Sequence, residues 1–191
     1  MQKQIIITGF GGQGVVLAGR ILGQAAAIGD KRESTLVQSY GPESRGGECS
    51  AQVTIADEFI HFPYITTPDT LVCLSQSGYT KYCHQTKDDT VLIVDADLVE
   101  PTDHSDFFAM PCTRYAEEMG LKMAANIIMV GFVAGITGTV TVDALRDTIA
   151  KSVPKGTEEK NLKAFDRGYQ YAQATLKGRK KKASGQIGVV A

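Results

Sequence analysis

Ile5-Ile6-Ile7-Thr8-Gly9-Phe10-Gly11-Gly12-Gln13-Gly14-Val15 is the stretch on which the fold turns. An apolar run of strand length gives way to a glycine cluster, and a helix-like run from Val15 to Ile28 follows directly. Strand, tight turn, helix is the opening unit of an α/β domain. Gly9, Gly11 and Gly14 also fit the G-x-G-x-x-G spacing of dinucleotide-binding turns. In such a turn, unpaired backbone N–H groups face outward at the positive end of the helix dipole, and glycines let an anion come close. Gly9, Gly11, Gly12, Gln13 and Gly14 are therefore candidate phosphate or interface contacts. Gln13 has two readings: its amide caps the turn internally, or it reaches another chain.

The other half of the dinucleotide fingerprint is an acid at the end of the second strand, about twenty residues on, to hold the ribose hydroxyls. Glu33 has the right distance from Gly14, but it precedes the strand-like run Thr35–Tyr40 instead of ending it. The acid is at the wrong end, which weighs against a bound NAD or FAD.

Downstream, Tyr40-Gly41-Pro42-Glu43-Ser44-Arg45-Gly46-Gly47 is a polar, glycine-rich loop between two strands, and a nucleotide fold does not call for it. The planar fork of Arg45 suits a carboxylate or phosphate, and Glu43 is near enough in sequence to pair with it. A local Glu43–Arg45 surface pair is the plainer account and would matter little. The flanking glycines favour close contact with something else, so Glu43, Arg45, Gly46 and Gly47 join the candidate contacts.

Further strand-like runs occur at Gln4–Thr8, Ser50–Ile55, Leu71–Ser75 and Val91–Asp95, and further helix-like runs at Gln76–His84, Ala124–Thr137, Thr141–Ser152 and Glu158–Leu176. Their interleaving implies an α/β, Rossmann-like fold with a mixed, mostly parallel sheet and flanking helices. The alternation Ala51-Gln52-Val53-Thr54-Ile55, a turn at Ala56-Asp57-Glu58 and the run Phe59–Phe62 read as an inserted antiparallel hairpin. Thr141 is placed as an N-cap, with Asp143 in the first turn complementing the helix dipole. Residues 1–176 read as one domain. Residues 177–191, opening with Lys177-Gly178-Arg179-Lys180-Lys181-Lys182, read as a basic tail that is either mobile or ordered only against a partner.

Composition removes several function classes. A chain of 191 residues with 43% hydrophobic and 21% charged residues is that of an ordinary globular domain. A net charge of −1 gives no general pull toward nucleic acid or anionic membrane. No apolar stretch reaches the length of a bilayer span, and no signal peptide precedes Gly9, so a cytoplasmic location is expected. Cys49, Cys73, Cys83 and Cys112 show no C-x-x-C spacing, and His61, His84 and His104 are scattered, so no metal or cluster site is expected in this chain. There is no Walker lysine and no nucleophile elbow. Asp95 and Asp97 follow a strand's carboxyl end, where α/β sites gather, but loop and cap roles suit them as well. No catalytic residue is assigned.

Taken together, the motifs resemble the gamma subunit of the 2-oxoacid:ferredoxin oxidoreductases, from Ile5 to about Tyr169. The carriers are Gly9–Val15, Ser39–Gly47, Pro68-Asp69-Thr70-Leu71-Val72, Ala125-Asn126-Ile127-Ile128-Met129-Val130-Gly131 and Asn161–Gly168. Gly9-Phe10-Gly11 and Gln38–Glu43 look most like the 2-oxoglutarate type, with branched-chain 2-oxoacid and indolepyruvate enzymes as alternatives. The resemblance implies oxidative decarboxylation of a 2-oxoacid with coenzyme A, giving an acyl-CoA, carbon dioxide and reduced ferredoxin. It implies alpha and beta partner subunits, in places a ferredoxin-like delta subunit, and ferredoxin as electron acceptor. It also implies that thiamine diphosphate, Mg2+ and [4Fe-4S] clusters lie on those partners. This chain would then be a structural and auxiliary subunit, inactive alone, with the glycine turn or Arg45 placed for coenzyme A. Two rivals remain: a stand-alone dinucleotide-dependent oxidoreductase using Gly9, Gly11 and Gly14, and a phosphate-ligand binding module.

Overall fold

The computed structural model describes residues 1–41 and 47–184. Among these, six strands form one sheet in the order β2-β3-β1-β4-β5-β6. The strands are β1 (Gln2–Phe10), β2 (Glu33–Tyr40), β3 (Glu48–Ala56), β4 (Thr70–Cys73), β5 (Val91–Asp95) and β6 (Phe108–Met110). β1, β4, β5 and β6 run parallel, whereas β3 is antiparallel to both of its neighbours, β1 and β2. The sheet is therefore mixed and mostly parallel. Its central strands are apolar on both faces, as helix-covered parallel strands must be.

The two faces are unequal. Ile5, Ile7, Val53, Val72 and Ile93 pack on one side against α1 (Val15–Gln24), α4 (Ala125–Thr137), α5 (Val142–Ser152) and α6 (Glu158–Ala183). Ile6, Leu71, Leu92 and Val94 pack on the other against Tyr79 and Tyr82 of α2 (Gln76–Tyr82). α4 is enclosed nearly all round, with Asn126 through Ala134 buried, which explains its near-continuous apolar sequence. It crosses α6 with backbone almost touching backbone. A Cβ on Gly131 would lie 2.1 Å from Phe165 O, and one on Gly168 would lie 1.9 Å from Ile128 O.

The antiparallel hairpin exists, but with a different partner from the one expected. β3 pairs with β2, Glu33 opposite Ala56 and Tyr40 opposite Cys49, while Phe59–Phe62 forms no strand. Both edges of β3 are already taken, so a following strand has nowhere to pair. The 57–69 segment instead crosses the sheet, where Gln52 Oε1 accepts from Ile65 N at 2.8 Å.

Three further differences stand out. The helix expected over Val15–Ile28 loosens into a π-turn at Ala25–Gly29, where Gly29 lies so close to α5 that a Cβ would meet Ala144 Cβ at 2.3 Å. β6 and α3 (Cys112–Glu118) had no distinct sequence signal. Helix α6 does not stop at Leu176 but continues through the basic run to Ala183. Arg179 holds that extension down: its guanidinium lies 3.7 Å from the Phe108 ring centroid and donates to Asp106 Oδ1 at 2.7 Å. Lys180, Lys181 and Lys182 then fall in the last turn, where cations offset the helix dipole. Thr141 caps α5 as expected, its hydroxyl accepting from Ala144 N.

Candidate functional site

The carboxyl ends of β1, β4 and β5 meet where the chain changes faces: α1 leaves β1 to one side of the sheet and α2 leaves β4 to the other. This is the topological switch point at which open α/β sheets bind ligands. A cavity of about 170 Å³ lies here, lined by Gly12, Gln13, Leu74, Asp95, Thr113 and Lys122 among others.

Gln13 organises the crevice. Its Oε1 accepts from Phe10 N at 2.7 Å and its Nε2 donates to Leu74 O at 2.8 Å, so one side chain closes the turn and ties β1 to β4. Gly9 makes room for it, since a Cβ there would sit 2.5 Å from Gln13 Oε1. Of the two readings of Gln13, the geometry realises the internal one.

Gly14 has φ +74° and precedes the first turn of α1. Beside it lies Asn126 from α4, whose Nδ2 donates to Gly14 O at 3.1 Å. A Cβ on Gly14 would be 2.3 Å from that nitrogen. Asn126 is 2% exposed and its Oδ1 has no partner. Only a glycine satisfies both the left-handed backbone and the Asn126 contact.

The two glycine clusters of the sequence come together: Gly11 N donates to Gly47 O at 2.8 Å. Gln13 N is likewise used, by Phe10 O at 3.1 Å. The first N–H groups of α1 have no intrahelical acceptor and are the donors left for an anion. Glu43, Arg45 and Gly46 lie outside the described residues.

Asp95 is fully buried and serves as a cap. It accepts from Thr113 N, Thr113 Oγ1 and Cys112 Sγ, closing the start of α3, and from Asp97 N. Burial, and then the Asp95 charge, push the Cys112 thiol well above its ordinary value. The four cysteines are unpaired and buried, and burial raises each thiol. Among the described residues, no group of three or more His, Cys, Asp or Glu is arranged to hold a metal ion.

Glu33 stands at the far end of the sheet. It pairs with Ala56, as Gln2 does, whereas Phe10 of the glycine turn pairs with Glu48. Antiparallel β3 also separates β2 from β1, so the ribose-binding half of a dinucleotide site is absent from this crevice among the described residues.

Sequence reasoning placed the glycine turn correctly and left Asn126 without a role. Its partner Gly14 is 112 positions away, and the only signal was its place as a polar residue inside an apolar helix.

Residues 4–171 match the family of pyruvate ferredoxin/flavodoxin oxidoreductases. The chain is 48% identical over 178 residues to the 2-oxoglutarate synthase subunit KorC of Methanocaldococcus jannaschii, covering 91% of this chain and 95% of that one. It resembles the crystal structure of the gamma subunit of a keto/oxoacid ferredoxin oxidoreductase from Geobacter sulfurreducens, with a TM-score of 0.79, 33% identity, and 91% and 98% of the two chains covered. The same fold forms 31% of a chain of the 2-oxoglutarate:ferredoxin oxidoreductase from Magnetococcus marinus, with a TM-score of 0.82 and 22% identity over 91% of this chain.

Proposed function

Because the chain belongs to the pyruvate ferredoxin/flavodoxin oxidoreductase family, we propose that it serves as the gamma subunit of a 2-oxoglutarate:ferredoxin oxidoreductase. The assembled enzyme decarboxylates the 2-oxoacid oxidatively, transfers the acyl group to coenzyme A and passes the electrons to ferredoxin. Alpha and beta subunits carry thiamine diphosphate, Mg2+ and [4Fe-4S] clusters, and the assembly works in the cytoplasm. This chain completes that assembly and contributes no catalytic residue. What carries the reading is the correspondence with the KorC relative, 48% identical and matched over 95% of that subunit.

The crevice at the glycine turn fits the auxiliary role. Gln13 and Asp95, together with the Asn126 Nδ2, hold the loops in place, which suits a surface presented ready-made to a partner or ligand. The N–H groups at the start of α1, beside Gly12 and Gly14, are the ones a phosphate of coenzyme A would meet. When bound, coenzyme A supplies the thiol that accepts the acyl group.

The assembly is tested by recovering the tagged chain gently from its own anaerobic lysate and weighing what comes with it. Thiamine- and cluster-bearing chains in fixed ratio are expected. Recovery of a lone chain carrying a nucleotide would overturn the reading.

A further inference from the structure

The loop that joins β5 to β6, residues 96–107, is pinned to α2 by a chain of hydrogen bonds in which every proton can be assigned. Thr86 Oγ1 lies 2.6 Å from Cys83 O, and a contact that short between two oxygens uses the hydroxyl hydrogen. The 3.0 Å bond between His104 Nε2 and Thr86 Oγ1 is then donated by the ring, so Nε2 carries the hydrogen. His104 Nδ1 is left as an acceptor, and Tyr79 Oη donates to it at 2.9 Å. Tyr79 Oη in turn accepts from Asp103 N at 3.0 Å. The chain runs Asp103, Tyr79, His104, Thr86, Cys83, each group donating to the next.

That order holds only while the ring is neutral. Tyr79 is 1% exposed, and His104 is the acceptor its hydroxyl finds among the described residues. A proton added at Nδ1 turns the acceptor into a second donor, and the Tyr79 hydroxyl hydrogen is left unpaired inside the core. The stretch under this control is bounded on both sides. Upstream, Gln76 of α2 holds Glu100 by both ends of its amide, donating to Glu100 O at 3.2 Å and accepting from Glu100 N at 2.8 Å. Downstream, Arg179 donates to Asp106 Oδ1 at 2.7 Å and to the carbonyl of Phe107. An amide and a guanidinium keep their charge near neutral pH. Between these anchors, Pro101 and Thr102 form part of the wall of a groove of about 650 Å³ along β5 and β6.

The other titratable groups here do not take over the switching. Burial raises Tyr79, Cys83 and, behind them on β4, Cys73, so all three stay protonated. Asp103 is the carboxylate that Tyr79 and Cys83 both feel, and Lys81 and His84 on the α2 side are exposed.

We propose that His104 is a proton-operated latch: its neutral ring holds residues 101–105 against α2, and protonation frees them as a movable wall of the groove. A bond that needs the neutral ring is present above the histidine titration and is lost as pH falls through it. The latch does not depend on the chain's place in an enzyme.

Two NMR measurements on the full chain test it. At about pH 7.5 the ring nitrogens of His104 are expected to show the Nε2–H tautomer, and the Nδ1–H tautomer would overturn the proposal. Protection of the Asp103 amide, corrected for intrinsic exchange, is expected to fall about tenfold from about pH 7.5 to about pH 5.5 in the unaltered chain. In His104→Gln it is expected to stay level over the same range. Level protection in the unaltered chain would overturn the proposal, and so would an equal fall in His104→Gln. A matching fall at Ile5–Ile7 would also overturn it, because the whole domain would then be loosening.

Discussion

Gly168→Ala lowers the stability of the chain by about 3 kcal/mol, even though alanine is the better helix former. The intrinsic preference for alanine is worth about 1 kcal/mol in a helix interior. Against it stands a Cβ placed 1.9 Å from Ile128 O and 2.9 Å from Phe132 N, both of them backbone atoms of α4. A flexible side chain would swing away, but a helix backbone has to translate. Overpacking a tight core costs about 1–3 kcal/mol and more where backbone must move. For a chain of this size, a net loss of about 3 kcal/mol lowers Tm by about 6–12 °C. Gly178→Ala in the same helix is the control. Nothing lies within 4 Å of its Cβ position, so it gains up to about 1 kcal/mol by propensity alone. Thermal melts of the two variants should move in opposite directions. Equal shifts would mean that α4 and α6 do not cross at Gly131 and Gly168.

Gly14→Ala is expected to disrupt the glycine turn, and Asn126→Ala to restore part of the loss. At φ +74°, any L-residue costs about 1–2 kcal/mol in backbone strain. The added methyl also meets Asn126 Nδ2 at 2.3 Å and Asn126 Cγ at 2.7 Å. Removing the Asn126 side chain alone sacrifices its bond to Gly14 O, worth about 1 kcal/mol. That carbonyl keeps Ala18 N as a donor at 2.9 Å, and the partnerless Asn126 Oδ1 disappears at the same time. The single Asn126→Ala change is therefore mild, and the double variant is more stable than the two losses added together by about 1 kcal/mol or more. Denaturant melts of the four-protein cycle give that coupling directly. Strict additivity would separate Asn126 from the turn.

Much of this architecture is legible along the chain because it is written in local chemistry. The β1 run, the glycine turn and the Thr141 cap each depend on residues within a few positions of one another, and each is found where the pattern places it. The hairpin partner of β3 is not local: Ala51–Ile55 alternates equally well against either flank, and the arrival of β1 on one edge decides which. β6 is three residues long, too short for a period to show. The extension of α6 past Leu176 depends on Arg179 reaching Asp106 and Phe108, some seventy positions back, where composition alone reads as a tail. In the crevice the division is the same. The glycines announce a close approach, but what approaches Gly14 is Asn126, and only the packing of α4 reveals it.

Glu33 does not complete the nucleotide motif that the glycines begin. The spacing Gly9, Gly11, Gly14 is satisfied, yet the strand that would bring a ribose-binding acid to it is displaced by β3, and its acid lies at the other end of the sheet. The glycines are accounted for by Gln13, by Asn126 and by the approach of Gly47, with no dinucleotide required.

The most direct test of the central claim is ferredoxin reduction by the reconstituted complex with coenzyme A, comparing 2-oxoglutarate, pyruvate and a branched-chain 2-oxoacid, each with this chain present and omitted. The account predicts activity that prefers 2-oxoglutarate, needs coenzyme A and falls away when this chain is left out. Full activity without the chain, or a clear preference for another 2-oxoacid, would contradict it.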